Sequence, residues 1–307
     1  SEADARRRCA SPLFRRGVFI PDFATLQPAR LGLGLRRRLI ERGALVYERS
    51  RMRRLDSSPD GVTVETDAGS VRAGAAVLAV GPASRALRRL RSRLTVTSSH
   101  IVLTEPVPDV VAELGWTGGE CITDGRTLVH YFRTTRDGRI LLGWGGGRPA
   151  YGSRLNGRVE VDPDAAKTAH AALLRLFPGL KSRRITHAWG GPIDVSPSHI
   201  PQIGTLPGAP VHFALGFTGN GVGPSNLAGR TLASLALGRA DDLTRLPIVE
   251  AEAGAWVPPE PIAWLGGSLV RGALVRREQE EEAGRRAGPL TRAVCAAPRA
   301  FGIHLSR

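Results

Sequence analysis

Eight consecutive residues hold most of the chemical potential of this chain: Gly216-Phe217-Thr218-Gly219-Asn220-Gly221-Val222-Gly223, four of them glycine. Glycine reaches positive φ without strain and lets a backbone come close to a ligand. N–H groups freed in such a turn, with a helix N-terminus behind them, favour an anion or a polarised carbonyl. A tight strand-to-helix turn that holds nothing could use the same glycines. Gly219 and Gly221 also share the G-x-G spacing of a dinucleotide fingerprint, with Asp241 and Asp242 about 20 residues on, where an acid could meet a ribose. Two features count against that match. The acids directly follow a helix and Gly238 with no strand to carry them, and the turn comes late, whereas the fingerprint opens a βαβ unit.

Other chemistry-bearing residues are sparser. Tyr131 and Arg133 alternate on a predicted strand, and Trp189 precedes a Gly-Gly pair. An aromatic wall plus a guanidinium suits an amino-acid carboxylate; packed aromatics and a surface arginine read equally well from the same residues. His130, His187, His199 and His212 form no metal-ligand spacing, so no metal site is expected. No acid–base dyad stands out, and the catalytic residues stay unassigned. Cys9, Cys121 and Cys295 are too far apart for a disulfide framework or a zinc site, which fits a reducing compartment.

The elements that must position these residues come next. Residues 26–42 read as a helix with Pro28 in its first turn, Leu31, Leu35 and Leu39 on one stripe, and Gly43 as its stop. Ala44–Glu48 predicts a strand, Val62, Val64 and Thr66 alternate as another, and Asp67-Ala68-Gly69 turns the chain into Val71. The apolar run Ala75–Val80 suits a strand covered on both faces in a parallel sheet. Residues 95–104, 128–133 and 139–144 predict antiparallel strands, the last two joined through Asp137-Gly138. A helix follows over 164–177, with Ala166, Ala169, Leu173, Leu176 and Phe177 on one stripe and Pro178-Gly179 at its end. Val211–Leu215 is a strand, Asn226–Leu237 a helix, and 269–286 a charged, solvated helix beyond Pro258-Pro259-Glu260-Pro261.

The 307 residues are 42% hydrophobic and 23% charged, enough for a real core. A net charge of +15 raises the question of nucleic acid, yet only Lys167 and Lys181 are lysine. Scattered arginines with few interleaved aromatics read as codon bias rather than a stacking surface, so nucleic-acid binding is not expected. No stretch approaches the ~20 apolar residues of a membrane helix. Ser1–Arg8 is charged with no apolar segment behind it, so the expected location is cytoplasmic.

Taken in order, three segments become recognisable: Trp189-Gly190-Gly191-Pro192-Ile193-Asp194, Pro201-Gln202-Ile203-Gly204, and Gly216–Gly223. Together they resemble the D-amino-acid-oxidase-like superfamily of FAD-dependent oxidoreductases, in the branch of glycine, sarcosine and γ-glutamylputrescine oxidases. Phe19-Ile20-Pro21-Asp22 through Gln27-Pro28 to Leu35 resembles that family's central helix region. Gly43–Leu55 resembles its second cofactor-side strand, Ala79-Val80-Gly81 the end of its buried strand, and Pro258–Pro261 with the tail a C-terminal extension. The resemblance implies a mixed α/β (α+β) fold: an incomplete three-layer FAD/NAD(P)-binding-type domain with an inserted antiparallel-sheet substrate domain. It implies FAD-binding segments at 1–92 and 191–250, the substrate domain at 93–190 and the extension at 251–307. Gly216, Phe217, Thr218, Gly219, Asn220, Gly221 and Val222 would border the pyrimidine edge of the flavin, Met52 the adenine end through its backbone, and Gly81 the cofactor. An amine or amino acid would lose a hydride to flavin N5 and become an imine.

The chain departs from that pattern at its start, where residues 1–18 are polar and basic and show no strand–GxGxxG–helix. Three readings stay open: a truncated oxidase, a split oxidase whose nucleotide-binding half lies on a partner chain, and a non-catalytic degenerate flavoprotein fragment. Ser198, beside His199, also stands where the family often carries an acid.

Overall fold

Residues 1–152, 154–250 and 256–303 are described by the computed structural model. In chain order its elements are α1 (Glu2–Arg8), α2 (Pro28–Glu41), β1 (Met52–Ser58), β2 (Gly61–Thr66), β3 (Gly69–Ala73), β4 (Ala76–Leu78), β5 (Thr95–Thr104), α3 (Pro108–Glu113), β6 (Ile122–Thr123), β7 (His130–Thr134) and β8 (Ile140–Trp144). They continue with α4 (Pro163–Leu176), β9 (Ile185–Val195), β10 (Gln202–Thr205), β11 (Val211–Leu215), α5 (Pro224–Ala236), α6 (Ile262–Glu282) and α7 (Pro289–Ala300). This is the mixed α/β architecture with an antiparallel sheet that the sequence predicts. Two compact units divide the chain: Ser1–Thr25 with Val96–Ile193 and Pro258–Arg307, and Leu26–Thr95 with Asp194–Val257.

The first unit is built on a five-stranded sheet in the order β6-β7-β8-β5-β9. Asp137-Gly138 closes the β7–β8 hairpin as expected, with Gly138 at φ +72°. Strict alternation along β5 buries Val96, Ser98, His100, Val102 and Thr104 while their neighbours stay half-buried, as one covered sheet face requires. Phe132, Ile140 and Leu142 from that face meet Ala169, Leu173 and Leu176 of α4 in the core. Phe14, Trp116, Phe132 and Phe177 pack ring on ring, with centroids 5.6–6.0 Å apart. The α4 stripe predicted from periodicity is therefore the buried one. Its N-terminus is fixed by Asp162, whose carboxylate accepts from Asp164 N and binds Arg148 at 2.7 Å.

The tail differs from the expectation of a solvated helix. Helix α6 starts at Ile262, buries Leu274, and adds Val270, Ala273 and Val275 to the same core. Glu278 is buried and accepts the Leu128 N–H at 2.9 Å. Its charged face does carry the expected i,i+4 ion pairs, Arg276–Glu280 and Arg277–Glu281. The first residues of the expected extension, 251–255, lie outside the described residues.

The second unit holds the meander β1-β2-β3 and a separate sheet in the order β10-β11-β4. The predicted helix is present as α2, with Pro28 at its first position and Gly43 just past its end at φ +84°. Strand β4 pairs parallel with β11, and Ala228 and Leu232 of α5 pack on Ile203 and Ala214. Two strand expectations are corrected. Ala44–Glu48 is no strand, because no neighbour among the described residues offers it a ladder; Leu45 and Tyr47 are 79% and 70% exposed. Of the Ala75–Val80 run, Leu78 is buried while Val77 and Val80 stay exposed, so the run is covered on one face only.

Candidate functional site

The glycine-rich turn is fastened to its own unit by one acid. Strand β11 delivers Gly216 at φ +76°, where an added Cβ would meet Ser196 Cβ at 2.7 Å, so both conformation and space demand glycine. Gly216 N–H donates to the Asp194 carboxylate at 2.6 Å, Thr218 N–H to the Asp194 carbonyl at 2.8 Å, and Phe217 N–H also faces that carboxylate. Asp194 is 6% exposed, and burial pushes its carboxyl up against the opposing pull of those N–H groups. Thr218 is left-handed at φ +53°, a conformation that is strained for a β-branched residue. Its hydroxyl donates to Gly216 O and accepts from Ser196 N–H, which fixes the backbone there.

Beyond that clamp the turn opens. Gly219 is left-handed at φ +81°, and Gly219, Asn220, Val222 and Gly223 are exposed. Among the described residues, the N–H groups of Gly219, Gly221 and Val222 have no acceptor. They lie ahead of the thirteen-residue helix α5, whose first-turn N–H groups add positive potential. A clamped backbone with free donors suits an acceptor-rich ligand edge. On this observation the turn fits the pyrimidine edge of a flavin.

Gly81 joins this turn by register. In the parallel pair, Phe213 stands beside Leu78, and continuing the register sets Gly216 level with Gly81. Gly81 is also left-handed, at φ +50°, with open space where a Cβ would be. Both turns therefore leave the C-terminal ends of neighbouring parallel strands, the end at which open α/β sheets bind ligands. Met52 opens β1 opposite Thr66, half-buried beside a register shift, in the separate meander.

The three sequence-named substrate residues belong to the other unit. Tyr131 and Arg133 share the face of the five-stranded sheet opposite its core. The Tyr131 ring lies across Gly143, where a Cβ would stand 2.0 Å from the ring, and its hydroxyl meets Ser99 Oγ at 2.7 Å. Burial pushes the phenol pKa up, against the Ser99 hydrogen bond, so it stays protonated at neutral pH. Arg133 lies within electrostatic reach of Cys121. Trp189 is partly exposed on β9, which β8 and β5 separate from β7, roughly 14 Å away at the usual strand spacing. The structure thus brings Tyr131 and Arg133 together and leaves Trp189 apart from them.

Sequence reasoning did not single out Asp194, Ser99 or Gly143. Asp194 had a readable signal: a lone acid in an otherwise uncharged strand segment, Trp189–Val195. Ser99 and Gly143 had none, because only cross-strand register makes them the support of Tyr131. Among the described residues, no three His, Cys, Asp or Glu side chains cluster to hold a metal, and no helix is long and apolar enough to cross a membrane.

Known proteins share this arrangement of elements. The chain is 29% identical over 279 residues to a probable oxidoreductase, OrdL, of Rhizobium meliloti, covering 87% of this chain and 58% of that one. It is 28% identical over 239 residues to γ-glutamylputrescine oxidoreductase of Escherichia coli, covering 77% and 53%. It therefore spans little more than half the length of these relatives. Its fold matches iminodiacetate oxidase of Chelativorans with a TM-score of 0.58 at 19% identity, over 71% of this chain and 57% of that one. It also matches glycine oxidase of Geobacillus kaustophilus with a TM-score of 0.54 at 21% identity, over 68% and 54%. A family model described as FAD dependent oxidoreductase matches residues 1–235, most of the chain, and the protein belongs to that family.

Proposed function

We propose that the chain forms the flavin-edge and substrate-sheet portion of an enzyme that oxidises an amine or amino acid with FAD. One observation carries the reading: a turn clamped by buried Asp194, with the Gly219, Gly221 and Val222 N–H groups free, at the C-terminal end of a parallel strand pair. Bound FAD would supply a two-electron acceptor, taking a hydride from the carbon that bears a neutral amine and leaving an imine for water to hydrolyse. The protein's part is electrostatic. Charge that builds at the pyrimidine edge meets amide dipoles already aimed, so little reorganisation is needed as it develops. Gly216, Phe217, Thr218 and Asn220 hold that edge in place, Gly81 lets the cofactor approach, and Met52 offers backbone groups to the adenine end. Tyr131 and Arg133 present a neutral phenol and a cation to the substrate carboxylate, with Trp189 as a more distant aromatic wall.

The cofactor-binding portion is then drawn from 1–92 and 191–250, around a substrate domain at 93–190 with an extension from 251, except that Ser1–Thr25 fall in the same compact unit as the antiparallel sheet. Three separated cysteines fit a cytoplasmic protein. A second reading, that a partner chain supplies the nucleotide-binding half, is favoured by helix α2: Leu31, Leu35 and Leu39 form an exposed apolar stripe. The test is flavin titration of the purified chain, alone and co-expressed with a strand–GxGxxG–helix polypeptide from a related oxidase. The expected result is flavin retained in at least one case and weakened at least tenfold by Asp194→Ala. Retention unchanged by Asp194→Ala, or no flavin in either case, overturns the reading.

A further inference from the structure

The five-stranded sheet has two faces, and they differ in what a ligand would meet. Val102, Phe132, Ile140 and Leu142 turn into the core shared with α4. The opposite face carries the positions between them. Register sets these out in rows across β7, β8 and β5: Arg133 beside Leu141 beside Leu103, and Tyr131 beside Gly143 beside Ile101. Thr123 of the edge strand β6 stands next to Tyr131. Ile101, Leu103 and Leu141 are half-buried, so each keeps apolar surface to offer.

Charge is scarce on these strands. Together β5, β6, β7 and β8 contain one arginine, Arg133, and no lysine, aspartate or glutamate. Their two histidines, His100 and His130, are buried on the core side. A guanidinium has five N–H donors, so Arg133 can take a carboxylate on two of them while others serve protein neighbours. Strands lie about 4.8 Å apart, which sets Leu141 one step and Leu103 two steps, roughly 10 Å, inward from Arg133. In the other direction lies the exposed edge at Cys121 and Thr123. The Tyr131 hydroxyl meets Ser99 Oγ at 2.7 Å, and Ser99 Oγ donates to Trp144 O at 3.0 Å. The phenol hydrogen therefore goes to Ser99, and what Tyr131 leaves for a ligand is its ring.

Aliphatic carbon laid over Leu141 and Leu103 covers apolar surface, which is favourable. A second carboxylate or an ammonium in the same place would lose hydration and meet no opposite charge on the four strands. We propose that this face selects an amino acid with one carboxylate and an uncharged aliphatic side chain, the carboxylate on Arg133 and the side chain over Leu141 and Leu103 beside the Tyr131 ring. The inference rests on the reading of this face as the substrate floor and narrows it: diamines and dicarboxylates are disfavoured.

The test is methyl NMR titration of the whole chain, labelled at isoleucine and leucine, with 4-methylpentanoate, acetate, glutarate and 1,4-diaminobutane. None of the four needs flavin to bind. 4-Methylpentanoate is expected to shift the Leu141 and Leu103 methyls saturably, with an affinity at least tenfold above those of the other three. Arg133→Leu should weaken it at least tenfold and Leu141→Asn at least fivefold. Leu290→Asn, at an exposed leucine of α7, should leave it unchanged. The ranking of the four ligands needs no variant, so it decides the matter where Leu141→Asn fails to fold. Glutarate or 1,4-diaminobutane binding as tightly as 4-methylpentanoate, or acetate within twofold of it, overturns the aliphatic preference and leaves the substrate-floor reading intact. No shift at these methyls with any of the four overturns both. Flavin retention is read by its own titration, so its failure is seen separately.

Discussion

Helices α2 and α4 are both fourteen residues long, both begin with proline, and both carry an apolar stripe at helical spacing. Their fates in the structure differ. Helix α4 buries Ala165, Ala169, Ala172, Leu173 and Leu176 against the five-stranded sheet. Helix α2 buries nothing; Leu31, Leu35 and Leu39 are 44%, 56% and 53% exposed. Periodicity marks a face that favours cover, and only the rest of the fold determines whether cover is present. An isolated helix of this length is marginal in water, so α2 depends on whatever packs against it far more than α4 does.

The sharpest break of that contrast is a matched pair of truncations. Leu173→Ala should cost about 2–5 kcal/mol, because a cavity opens in a closed core, whereas Leu35→Ala should cost less than about 0.5 kcal/mol. Denaturant unfolding of each variant measures this. Should a polypeptide that covers α2 be supplied, the Leu35→Ala cost should rise toward the core value. An equal cost in the chain alone would show that α2 is already packed.

Asp194→Ala should come next. It leaves the Gly216 and Phe217 N–H groups without their acceptor and should destabilise the turn by about 1–3 kcal/mol, with Asp194→Asn milder because one amide oxygen can still accept. Hydrogen exchange at residues 216–223 should accelerate in the alanine variant while α4 stays protected. Gly216→Ala, strained by its φ and by Ser196, should act in the same direction.

The two helix caps give the smallest test. Helix α4 is capped by Asp162, and α2 by the Gln27 amide, which does not titrate. Burial pushes the Asp162 carboxyl up, but its bonds to Arg148 and Asp164 N–H and the charges of Arg148 and Arg158 bring it below the usual value of 3.8. A depressed carboxyl stabilises the fold above that value, and the stabilisation is lost as pH falls through the folded pKa. Asp124, bound to His130 at 2.7 Å, shifts in the same direction. Acidification below about pH 4 should therefore loosen α4 more than α2, read as hydrogen exchange corrected for intrinsic rates. An α2 that loosened first would place its weak point in acid-sensitive contacts elsewhere.

Much was legible in the residues. Alternation and turn chemistry located β2, β3, β5, β7 and β8, because a period of two with Asp-Gly between runs is a local property of the chain. The glycine turn and its neighbour Gly81 were legible because positive φ in tight space leaves glycine as the fitting residue. Ala44–Glu48 was misread for the opposite reason: a strand is completed by its neighbour, and that neighbour is not encoded in the five residues themselves. The tail helix was misread because its charges are evident in sequence, while the sheet edge that buries Leu274 and Glu278 lies about 150 residues away.

What the amino-acid order determined is the family, the antiparallel sheet and the glycine-rich turn, since each rests on local pattern and backbone stereochemistry. Tertiary structure decided which apolar stripe is core and which is exposed. It also decided that Asp194 clamps the turn and that Tyr131 rests on Gly143 and Ser99. Those outcomes depend on register and packing between segments distant in the chain, and no local pattern contains them.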